Sequence, residues 1–144
     1  MTRQRRTARW PALPPRGLRP RLDAERVRAL GLVHIANLDL MATGRAGAEV
    51  LLQVMGGTLT WHRVAQVLGR GEAEMVDQLD LMNAVFERYR AHGRVLFTGL
   101  EYQRAKHGVD VQDALAELVD EHTAVEAATW SEAQVHRLQS EQQA

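Results

Sequence analysis

Residues 58–75 read TLTWHRVAQVLGRGEAEM, and the fold turns on how this stretch is taken. Thr60 offers a helix cap, Val64, Ala65 and Leu68 an apolar stripe, and Gly69-Arg70-Gly71 a break. Glu72 and Glu74 then sit where the positive end of a helix dipole favours acids. The rhythm is that of a helix-turn-helix, with Ala65 and Gly69 small enough for close packing and Leu68 and Met75 as apolar anchors. The chemistry of the second helix points elsewhere. Its first turns carry Glu72, Glu74, Asp77 and Asp80, which phosphates repel, and only Gln78 and Asn83 suit base edges. The expectation is a packing corner, with DNA reading as the minority alternative.

Working outward, the following segment repeats apolar residues at Met75, Leu79, Met82, Phe86 and Tyr89, a seam for another helix that ends at His92-Gly93. Upstream, AEVLLQVM is expected to form a short helix stopped by Gly56-Gly57. Asp23 caps a first helix whose face of Val27, Leu30, Leu38 and Met41 is widened by Leu32, Val33 and Ile35, so that helix is expected at the centre of the core. It should fail near Gly44 and Gly47. Downstream, RVLF reads as a short strand or an apolar linker. Three T-x-x-E runs, at Thr98, Thr123 and Thr129, fit the capping box. They predict helices over 99–107, 110–121 and from 130, with a turn near 124–128 and an acidic face at Asp113, Glu117, Asp120 and Glu121. Trp61 and Trp130 would then close the ends of the core.

The first 21 residues differ from the rest. They hold all four prolines and seven arginines with no acid, whereas residues 22–144 carry 11 basic and 18 acidic side chains. Proline removes amide donors and fixes φ, so no continuous helix is expected in that arm. A basic arm on an acidic body can attract other copies, an acidic partner or nucleic acid. The domain reading is therefore a disordered Pro/Arg-rich arm over 1–21, an all-α domain over 22–139 and a frayed tail over 140–144. The fold expected is a small orthogonal bundle of five to seven helices.

Several chemistries find no support. With no cysteine, thiolate metal sites, disulfides and thiol nucleophiles are excluded, and a cytoplasmic setting is expected. No apolar run approaches the roughly 20 residues of a membrane span, and no apolar h-region follows RQRR. The six histidines show no H-E-x-x-H spacing, and Ser131 and Ser140 lie in no nucleophile elbow. GRAGAEV and GRGEAEM are not phosphate loops. His34 on an apolar face reads as a core histidine, and His92 and His107 as C-terminal caps. No catalytic, cofactor or metal residues are assigned, and no small-molecule substrate is evident. The expected function is a non-catalytic protein-interaction module: an adaptor, assembly factor or small regulator. Its partner would be a protein or a second copy of the chain. The alternative is a helix-turn-helix-like transcriptional regulator or other DNA-binding accessory protein. The residues proposed for contacts are Arg3, Arg5, Arg6, Arg9, Trp10, Arg63, Arg70 and Gln78.

Overall fold

A computed structural model describes residues 19–143, and among these the chain is all-helical. Five helices follow in order: α1 (Ala24–Ala42), α2 (Ala48–Leu68), α3 (Glu72–His92), α4 (Gly99–Leu118) and α5 (Glu121–Gln143). RVLF is apolar linker, and its Val95 plugs one end of the core.

The ends of α1, α3 and the start of α4 follow local chemistry. Asp23 accepts from the Arg26 amide at 2.7 Å. Thr98 and Glu101 form a complete capping box. Gly69, Gly71 and Gly93 all adopt positive φ, the left-handed conformation that costs a side chain most. Gly71 is doubly constrained, because a Cβ there would also stand 3.1 Å from Val111.

Elsewhere packing overrides the local signals. α2 runs unbroken through Gly56-Gly57, so there is no short helix ending at 55 and Thr60 is not a cap. Gly56 is instead a close-approach point: a Cβ would lie 3.3 Å from Val135 of α5, and the Ser131 hydroxyl donates to the Gly56 carbonyl. Thr58 and Thr60 donate back to Val54 and Gly56, which satisfies both hydroxyls within the helix. Likewise α4 continues through Gly108, which places His107 in mid-helix rather than at a cap. Of the three threonine boxes only Thr98 caps. Thr123 and Thr129 lie inside α5, and there is no turn at 124–128.

The start of α5 is set by Asp120, which is buried rather than part of an acidic outer face. Its carboxylate accepts from the Thr123 amide at 2.9 Å and hydroxyl at 2.7 Å. Burial pushes that carboxyl up, but these hydrogen bonds outweigh it and hold it below the usual carboxylate range. Pro20 and Arg21 dock on this turn: the Glu121 amide donates to the Pro20 carbonyl at 2.9 Å, and Arg21 bridges Asp120. The body's contacts therefore begin before Leu22. α5 also runs on to Gln143, past the point where the polar tail was expected to fray.

The central helix is α2, not α1. It packs against all four others, while α1 has only Met41 fully buried and exposes Leu32, Val33 and Ile35. α5 packs chiefly on α2, and its first residue, Glu121, pairs with Arg26 of α1. Two apolar clusters form at the two ends of the bundle. One gathers Met41, Leu51, Met55, Leu81, Val85 and Val95; the other Trp61, Val64, Met75, Leu115 and Val119. At the first end Arg88 of α3 holds Glu101 of α4 through two hydrogen bonds of 2.8 Å. Arg88 also donates to the Leu96 carbonyl at 2.9 Å, tying down the linker. The Arg88 guanidinium holds the Glu101 carboxyl at about 2, against partial burial that works the other way.

Candidate functional site

Between the two apolar ends lies a polar layer. Each of α2, α3 and α4 contributes one buried polar residue to it: Thr58 at 1% exposure, Gln78 at 3% and Gln112 at 4%. Each sits at helical spacing between residues of the two clusters, as Gln78 does between Met75 and Leu81. The layer is not filled. A cavity of about 360 Å³ lies there, lined from all five helices. Its walls are mostly apolar, among them Leu38, Met41, Val54, Met82 and Val109. Leu22, Val33 and Val125 border it as well, and Val33 and Val125 are exposed.

His34 marks one side of the cavity. Its Nε2 accepts from the Trp61 indole at 3.2 Å, so its Nδ1 carries the proton and donates to Asp113, also at 3.2 Å. The two rings meet edge to face with centroids 6.0 Å apart. His34 thus has two partners, and it ties α1 to α2 and α4. Both ring nitrogens are used by the protein, which leaves neither to take a proton from a bound molecule.

On the cavity floor, Gln78 has a different status. Its Oε1 is fully buried and has no hydrogen-bond partner. The amide lies against Gly108, where any Cβ would overlap it. Mid-helix Gly108 is therefore what allows α4 to approach α3 over a glutamine. Reading Gln78 as a contact for base edges is overturned: α3 buries Met75, Gln78, Leu81, Met82 and Val85. Leu79, Phe86 and Tyr89 are only half-buried. The true stripe is wider than the heptad seam and rotated from it, because α3 packs against both α2 and α4.

The other contact residues are dispersed. Arg3, Arg5, Arg6, Arg9 and Trp10 lie outside the described residues. Arg63 is exposed, and its guanidinium stands 5.3 Å from the centroid of the half-exposed Trp130 ring, linking α2 to α5. Arg70 is exposed at the corner before α3, and Arg94 follows the far end of that helix, so about 30 Å of helix separates them. The exposed face of α3 carries Glu72, Glu74, Asp77, Asp80 and Glu87, with Asp77 held by Arg104 at 2.7 Å. Among the described residues no cluster of three or more metal-ligating side chains forms. No helix there is long and apolar enough to cross a membrane.

No protein-family model, curated protein or solved structure matches this chain.

Two signals in the sequence bear on the cavity. A glycine inside a strongly helical run, Gly108, marks a close approach, and a glutamine one position from an apolar seam, Gln78, is its counterpart. Neither says which helix faces which, and so neither reveals the cavity.

Proposed function

We propose that this chain is a non-catalytic protein-interaction module, an adaptor, assembly factor or small regulator of the cytoplasm. It would be a small orthogonal bundle acting through its acidic helical body and its basic arm. The observation that carries this reading is the outer ridge of α1. Leu32 is 63% exposed and Ile35 58%, with Val33 beside them at 46%. Three large apolar side chains within four positions of one helix are a surface that gains by being covered. The charge pattern supports a protein partner or a second copy: seven arginines and no acid in residues 1–21, against 18 acids and 11 bases beyond them. The state of His34, with both nitrogens engaged, supports the non-catalytic part.

The DNA-binding alternative draws less support. The only amide on the first turns of α3 is buried, and the exposed side chains there are acidic.

Light scattering of the full-length chain across a concentration series tests the proposal. The expected result is a concentration-dependent oligomer that the Leu32→Glu/Ile35→Glu double variant converts to a monomer of unchanged helicity. A chain that stays monomeric throughout and purifies with no other protein would sink it.

A further inference from the structure

We infer that the cavity is a binding site for a small neutral ligand. That ligand is largely apolar and carries one group that both donates and accepts hydrogen bonds, such as a carboxamide, a lactam or an alcohol. The two readings share Val33 but are tested separately, because Leu32 and Ile35, the positions varied for the α1 surface, do not line the cavity.

Size is the first ground. Protein interiors pack like organic crystals and leave few voids larger than a water molecule. At about 360 Å³ this cavity falls within the range of ligand pockets. It lies between the two apolar clusters, with residues of all five helices around it.

The second ground is the unpaired amide. Nine in ten or more buried polar groups find a hydrogen-bond partner, and Gln78 Oε1 does not. Turning the amide over exchanges its two ends and still leaves one orphaned against Gly108. Gln112, 4% exposed, lines the same space, and its side-chain amide makes no hydrogen bond among the described residues. A ligand group that both donates and accepts would satisfy amides that the fold leaves waiting.

The absence of charge in the lining makes the class specific. Among the described residues no Asp, Glu, Lys or Arg side chain lines the cavity, and both His34 nitrogens are occupied. A carboxylate, phosphate or ammonium would be stranded there without a counter-ion, at high cost. The ligand therefore enters as a neutral molecule, its polar head towards Gln78 and its apolar part along Val54, Val109 and Val125.

Octanamide, 1-octanol and octanoate share one chain length and differ in the head, so they serve as probes of the full-length protein at neutral pH. Calorimetry should show octanamide saturating one site, with octanoate at least about tenfold weaker. Labelled methionine methyl groups report the location. Met41 and Met82 line the cavity, whereas Met55 and Met75 do not, so octanamide should move the first pair only. Gln78→Met, folded by circular dichroism, should weaken octanamide by about tenfold. The inference fails if neither octanamide nor octanol binds saturably, or if octanoate binds as tightly as octanamide. It fails too if the shifts fall on Met55 and Met75, or if a folded Gln78→Met chain binds octanamide as the parent does. Should that variant not fold, the methionine shifts and the comparison of head groups decide the matter without it.

Discussion

The apolar end of the bundle and its middle layer are built from the same helices by opposite means. At the end around Leu51, Val85 and Ala105 these side chains are buried, and the 93–98 linker covers that end with Val95. In the middle, three helices each turn a polar side chain inward, and a void remains. The difference shows that closure here depends on having a plug from every side, not on how apolar a helix is. α1 exposes Leu32, Val33 and Ile35, yet it lines the open layer and buries only Met41 fully.

That contrast can be broken by moving apolar volume between the two regions. Leu51→Ala at the closed end should lose about 3 kcal/mol of stability in urea unfolding, through lost burial and the hole left behind. Ala124→Leu, which adds volume beside the open layer, should cost nothing or stabilise by up to ~1 kcal/mol. Equal losses at the two sites would mean the cavity is closed in solution.

Gly108→Ala sharpens the comparison within the middle layer. In an ordinary helix interior the change stabilises by about 1 kcal/mol. Here the added Cβ meets the Gln78 amide, so the sign should reverse, with a loss of about 2 kcal/mol by the same measurement. Combined with Gln78→Ala, which removes the obstacle, the glycine change should become neutral or favourable. Additive losses would show that the two residues do not touch.

The smallest effect concerns the clamp that closes the apolar end. Glu101 has its carboxyl lowered to about 2 from an ordinary 4.5, chiefly by the Arg88 hydrogen bonds. A depressed carboxyl adds stability that is fully present above the unfolded value and is lost as pH falls through the folded one. The contribution should therefore fade between about pH 4.5 and pH 2, and it amounts to about 1–2 kcal/mol once the partial exposure of Arg88 is allowed for. Glu101→Gln should remove that part of the acid sensitivity, as read by thermal unfolding across the same pH range. An unchanged profile would assign the clamp no net role.

Much of the helical grammar could be read directly. Asp23, Gly69, Gly71, Gly93 and the Thr98–Glu101 box end or begin helices as their local chemistry requires. The same grammar misled at Gly56-Gly57, Gly108, Thr123 and Thr129. A glycine costs a helix about 1 kcal/mol, and a capping threonine contributes a similar amount. Tertiary contacts easily exceed both. α5 lies directly on Gly56, α3 presses Gln78 onto Gly108, and both threonines are absorbed into a helix that α2 supports along its length. The candidate site was less legible still, because a cavity belongs to no segment: five helices line it.

From the sequence alone came the all-helical class, the absence of thiol chemistry, the charge division at residue 21 and the breaks that follow from left-handed glycines. These depend on composition or on interactions within a few residues of chain. Only the tertiary structure decided that α2 is the centre, that α4 and α5 are each continuous, and that Gln78 faces inward without a partner. Those outcomes depend on which helix faces stand opposite one another. That pairing is set by the collective burial of surfaces distant in sequence, against which no single local preference prevails.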